Sequence, residues 1–138
     1  MPGWTLEGLA GSLPNGFHDS ELKALSIDYV KRELSLSLDV WTGDLTAPSA
    51  NGREAYRSAE VLLTGLIYCV CEPPDSRYQY SDAHSVKIDV GEMRSLKRPP
   101  AMKLPSVTEE AFASWIFVSD WNAFMYVAAE DVHLTWID

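Results

Sequence analysis

The stretch LSLSLDVW, Leu34 to Trp41, constrains the fold more than any other part of the chain. Leu34, Leu36, Leu38 and Val40 alternate with Ser35, Ser37 and Asp39. A period of two puts every apolar side chain on one face of an extended strand and scatters the same residues around a helix, so this segment is a strand with one buried face. Upstream, ALSIDY repeats the pattern, with Leu25, Ile27 and Tyr29 on one face and Ser26 and Asp28 on the other. The polar VKRE between the two runs predicts a turn, and the whole predicts an antiparallel hairpin.

Further along, AEVLLTGLIYCVC is too apolar for an exposed edge, which predicts central strands bent or bulged at Gly65. Pro73 and Pro74 then stop pairing, because proline has no ladder donor. Val86, Ile88 and Val90 alternate again in SVKIDV. Residues 91 to 108 hold three prolines and read as a long loop, and so does TGDLTAPSANGRE. At the C-terminal end Trp115 and Phe117 are expected opposite Phe124 and Tyr126 across a turn at Asp120 and Asn122, residue types suited to positive φ. Val132, Leu134 and Trp136 continue that strand or add a last one, with His133 and Thr135 facing away. TLEGLA near the start reads equally as a short helix or an edge strand.

About eight short strands, no long helical period and no repeat imply an all-β chain, an antiparallel β-sandwich or partly open barrel. At 138 residues, residues 1–138 form a single β domain able to bury roughly 68% of the unfolded surface. Five Trp and six Tyr supply large apolar bodies for that core.

Charge narrows the partners. Twenty acidic against 11 basic residues give a formal charge of −9, which repels nucleic acid phosphates and anionic lipid, so no nucleic acid and no membrane partner is expected. The basic stretch Lys87, Arg94, Lys97, Arg98 and Lys103 carries prolines and no interleaved aromatics, and reads as a solvated loop. The start MPGWTLEGLAGSLPNG has neither a basic n-region nor an apolar h-region, and no apolar run approaches the ~20 residues that span a bilayer, so the expected compartment is the cytoplasm. Cys69 and Cys71 are expected as buried thiols, since a C-x-C pair lies too close for an unstrained disulfide and lacks the second pair of a zinc site.

Chemistry-bearing residues cluster in GFHDSEL, where His18, Asp19 and Glu21 precede the first long strand. These types ligate metals, but one such group cannot complete a coordination sphere; His84 with Asp82, and His133 with Asp131, are the further candidates. The plainer reading has Asp19 capping a turn and His18 bonding a nearby carbonyl. Neither a G-x-S-x-G serine, nor a thiol with electropositive neighbours, nor a phosphate-binding glycine loop is present, so no catalytic residue, metal or cofactor is assigned. In DWN, Trp121 either folds back over the sheet edge or anchors a partner, with Asn122 beside it.

The residues FHDSEL, LSIDY and LSLSLDV at one end and SDWNAFMYVAAEDVHL at the other resemble a family of small uncharacterised bacterial β-proteins. More loosely they are similar to immunity proteins of polymorphic toxin systems, which begin with a like His-Asp-x-x-Leu strand entrance. The resemblance implies a bacterial cytoplasmic protein that binds another protein, and transfers no catalytic role. The expected function is therefore a small acidic interaction module, an immunity or regulatory protein with a basic protein partner, using His18, Asp19, Glu21, His84, Trp121 and Asn122 for binding. The competing class is a small-ligand or metal-binding protein or hydrolase with a pocket near His18, Asp19 and His84. Self-association through an edge strand or the C-terminal hairpin is the third expectation.

Overall fold

A computed structural model describes residues 4–77, 85–97, 99–100 and 102–137. Thr5 caps the short helix α1 (Leu6–Gly11), its hydroxyl accepting from the Gly8 amide, which resolves TLEGLA as helix. Strand β1 (Pro14–Phe17) follows, and a turn at His18 and Asp19 leads into β2 (Ser20–Asp28). The remaining elements are β3 (Glu33–Trp41), a single helical turn α2 (Ala50–Arg53), β4 (Tyr56–Thr64), β5 (Tyr68–Cys71), β6 (Val86–Glu92), β7 (Phe112–Val118), β8 (Ala123–Ala129) and β9 (Asp131–Trp136).

Eight of the strands form one antiparallel sheet in the order β5-β8-β7-β6-β2-β3-β4-β9. The fold is thus the all-β, sandwich-like open barrel that the alternation predicts. The β2–β3 hairpin turns at residues 29–32, so Tyr29 leaves the strand face and is 83% exposed. β7 and β8 pair with Trp115 opposite Tyr126 and Phe117 opposite Phe124, and Asn122 in their turn takes φ 50°. α2 interrupts the expected TGDLTAPSANGRE loop, with Ser49 accepting from Gly52 at its start.

One corner folds the sheet on itself. β4 runs into β5 through Gly65, Leu66 and Ile67, while β8 runs into β9 through Glu130 alone. The Glu130 amide donates to the Thr64 carbonyl (3.0 Å) and the Ile67 amide to the Ala128 carbonyl (2.8 Å), bridging the bend from both sides. Gly65 has φ 62°, the left-handed region that glycine alone enters without cost, as the sequence break at this residue anticipates. The bend also corrects one expectation: of the AEVLLTGLIYCVC run only β4 is central, and β5 is an edge strand.

Among the described residues a single apolar cluster fills the inside, with Leu34, Leu36, Leu38, Val61, Leu63, Ile116 and Val127 all at 2% exposure or less. β2 pairs with β6 only through Ser20, Leu22 and the residue between them, while its pairing with β3 continues to Asp28. Past Leu22, its second edge therefore faces the free edge of β5 across a seam where the barrel is open. A cavity of about 420 Å³ occupies that seam, lined by Leu22 to Leu25, Cys71, Val86, Trp121 and Met125. No helix among the described residues is long and apolar enough to cross a membrane.

Candidate functional site

The His18–Asp19 turn is built by backbone shape. Gly16 (φ 58°) and Asp19 (φ 55°) both take left-handed conformations, which aspartate tolerates better than most residues. Asn15 pins the approach: its Nδ2 donates to the carbonyls of Trp41 (3.2 Å) and Gly43 (2.7 Å), fixing β1 against the end of β3. His18 consequently sits edge-on to the Trp41 indole, ring centroids 6.4 Å apart. The indole is itself held, Nε1 donating to the Arg53 carbonyl (2.8 Å), and Gly43 is buried against both partners of that bond, where a Cβ would collide. Trp41 is directly opposite Tyr56 in the β3–β4 register, and both stand on the outer face, since the inner positions carry Val40 and Ala59.

A cleft of about 270 Å³ results, lined by His18, Asp19, Trp41, Leu45, Arg53, Glu54 and Tyr56. Asp19 and Glu54 line it together with Arg53, and further charges lie nearby. His18 Nε2 lies 3.5 Å from Asp19 and Nδ1 lies 3.7 Å from Asp89, ion pairs when the ring is protonated. Burial raises the Tyr56 phenol above its ordinary value; among nearby charges Lys87 opposes this, and Glu21, Asp19 and Glu54 add to it. Glu21 pairs across β2–β6 with Lys87, next but one to Asp89. The outer face at this end of the sheet therefore gathers four acids, Asp19, Glu21, Glu54 and Asp89, and two bases, Arg53 and Lys87, in the neighbourhood of Trp41, Tyr56 and His18. Carboxylates in one cleft with Trp and Tyr suit a guanidinium or ammonium group, which can pair with the former and stack on the latter.

The structure divides the sequence-predicted residues. His18 and Asp19 line the cleft, and Glu21 stands near it as one of the charges acting on Tyr56. Trp121 lies elsewhere: it folds back from the β7–β8 turn, packs on the core and lines the seam cavity. Its carbonyl accepts from the Asp75 amide (2.8 Å), while Asn122 shapes the exposed turn. His84 and Asp82 lie outside the described residues. His133 pairs with Asp131 on β9 (3.1 Å) and not with His18, so these two histidines form separate pairs. Among the described residues no group of three or more His, Cys, Asp and Glu side chains is placed to hold a metal ion.

Asp89, Tyr56 and Glu54 were not singled out by the sequence, and the strand-face Trp41 was legible only as a core residue or a pocket wall. Only the outward parity of Asp89 in SVKIDV hinted at its position; which strand β6 meets, and in what register, is a long-range choice that local pattern does not contain.

The thiols depart from the expectation of burial. Cys69 is half-buried and Cys71 exposed, on edge strand β5 opposite Val127 and Met125. A hydrogen bond from Cys69 stabilises the Cys71 thiolate, bringing Cys71 down to about 7, and the same contact with burial pushes Cys69 well up. No protein-family model and no curated protein matches the chain. Among solved structures, one described as an uncharacterized protein from Neisseria gonorrhoeae superposes at a TM-score of 0.45 with 10% identity, over 85% of this chain and 90% of that one.

Proposed function

We propose that the protein is a small acidic interaction module that receives a basic segment of another protein at the Trp41–Tyr56 cleft, in the role of an immunity or regulatory protein. The observation that carries this reading is the gathering of Asp19, Glu21 and Glu54 near the outward Trp41 and Tyr56, with Asp89 against His18, in a chain of net charge −9. Such a surface accelerates encounter with a cationic partner, an effect that weakens as salt rises. The resemblance of the His-Asp-x-x-Leu entrance to that of immunity proteins is in keeping with the same role, since in this chain it is the turn that presents His18 and Asp19 to the cleft. The competing reading, a ligand or metal pocket or a hydrolase at His18, Asp19 and His84, would use the same cleft, which His18 and Asp19 line, while His84 lies outside the described residues.

An arginine-rich synthetic peptide titrated calorimetrically at low and high ionic strength tests the proposal. Binding should weaken with salt. An exposed charge pair contributes up to about 1 kcal/mol, so Glu21→Lys should lower affinity about fivefold or more at low salt. A peptide that binds equally to the parent and Glu21→Lys, or not at all, contradicts the reading.

A further inference from the structure

The open seam between β2 and β5 holds a chemistry that the acidic cleft does not use. Cys69 and Cys71, two apart on one strand, project from the same face of β5. That face is the inner one, because their cross-strand partners Val127 and Met125 belong to the buried cluster. Cys71 and Met125 are directly opposite each other and line the same cavity of about 420 Å³. Directly opposite residues have Cβ atoms about 4.5–5.5 Å apart, which puts the Cys71 thiol within reach of a Met125 thioether turned toward it. Cys69 lines the adjoining part of the seam with Ile27 and Tyr68. Its thiol is close enough to Cys71 to share a hydrogen bond.

Three soft sulfur side chains therefore share the inner face of the β5–β8 pair along the open seam, Cys71 and Met125 beside Leu22, Leu25, Val86 and Trp121 and Cys69 in the adjoining stretch. We propose that Cys69, Cys71 and Met125 form a binding site for a single monovalent copper ion, held by two thiolates and one thioether.

The donor set selects the metal. Thiolate and thioether sulfur prefer Cu(I), whereas calcium, magnesium and manganese want oxygen, and zinc wants about four donors including thiolate, imidazole or carboxylate. The described residues put no third His, Cys, Asp or Glu beside this pair. A low-coordinate soft ion needs none. Spacing favours a metal over a disulfide as well. Residues i and i+2 of a strand have Cα atoms about 6.6 Å apart, near the upper limit for a disulfide, whose sulfurs must approach to about 2.05 Å. Two metal–sulfur bonds of about 2.3 Å span sulfurs up to about 4.6 Å apart, without bending the strand.

The test uses the reduced chain without oxygen, with Cu(I) supplied as its acetonitrile complex in competition with the chromophoric chelator bicinchoninate. The chain should withdraw one equivalent of copper. Cys69→Ser and Cys71→Ser should each weaken binding at least about a hundredfold, and Met125→Leu, a volume-conserving change in the core, about tenfold. Circular dichroism of each variant separates lost ligation from lost folding. Should Cys69→Ser not fold, X-ray absorption of the copper-loaded parent decides, since the site demands a sulfur-only shell. A chelator that keeps all its copper, serine variants that fold and bind like the parent, or a shell dominated by nitrogen or oxygen would each overturn the proposal.

Discussion

Gly65→Ala probes the corner on which the open barrel turns. Gly65 has φ 62°, and a Cβ placed there would lie 2.5 Å from Oε1, 2.7 Å from Cδ and 2.8 Å from Cβ of Glu130. Two costs follow. A left-handed conformation costs a residue with a Cβ about 1–2 kcal/mol. The contact with the Glu130 Cβ cannot be relieved by rotating a flexible side chain, so backbone at the bend must shift, which for overpacking costs about 1–3 kcal/mol. Against these, alanine narrows the unfolded ensemble and returns about 0.4–1 kcal/mol. The net loss is about 2.5 kcal/mol. At about 4 °C per kcal/mol for a chain of this length, the melting temperature should fall by about 10 °C.

Chemical denaturation followed by tryptophan fluorescence measures the loss directly. Two partner variants separate its parts. Gly65→Asn should cost about 1 kcal/mol less than Gly65→Ala, because asparagine tolerates positive φ while meeting the same neighbour. In a Glu130→Gly background the contact vanishes and only the backbone cost should remain, giving a coupling of about 1–2 kcal/mol between the two positions. The Arg32–Glu130 ion pair lost in that background is more than half exposed on both sides and contributes little. A Gly65→Ala loss below about 0.5 kcal/mol, or Glu130→Gly and Gly65→Ala effects that simply add, would refute the account of the corner.

Two further predictions concern the core and the thiols. Leu36, 2% exposed between β2 and β4, should cost about 2–5 kcal/mol when truncated to alanine, read as a drop in the denaturation midpoint at unchanged slope. Iodoacetamide should modify Cys71 with a pH profile centred near 7 while Cys69 lags, because the Cys69 thiol donates to the Cys71 sulfur and favours its ionised form. Cys69→Ala removes that donor and should move the Cys71 profile up toward the ordinary ~8.5, by peptide mass spectrometry across pH; equal labelling of both thiols in the parent would contradict the pairing.

Much of this architecture is legible in the residues because a half-buried strand writes its own period. Leu34, Leu36, Leu38 and Val40 name their face unaided, and the Trp115–Tyr126 and Phe117–Phe124 pairs follow from turn chemistry at Asn122. Even the bend at Gly65 is visible, since glycine in so apolar a run has no packing purpose. What is not legible is long-range. The single residue Glu130 carries the chain from β8, near one end of the sheet, to β9 at the other, yet nothing in AAEDV marks a break. Apolarity suggested that β5 was central, whereas the run is apolar because its inner face lies against Met125 and Val127. The cleft shows the same limit. GFHDSEL announces an unusual turn, but Trp41, Tyr56 and Asp89 reach it from three other strands through register, and Trp121, an equally prominent residue, is directed into the seam.

The central claim is that a cation docks between Trp41 and Tyr56. Nitrogen-15 spectra of the protein titrated with the arginine-rich peptide address it at residue resolution, the Trp41 indole N–H that donates to the Arg53 carbonyl serving as reporter. The account predicts saturable shifts confined to Trp41, Tyr56, His18, Asp19 and their strand neighbours, abolished by high salt. Shifts centred on the Trp121 seam, or spread over the surface without saturation, would contradict it.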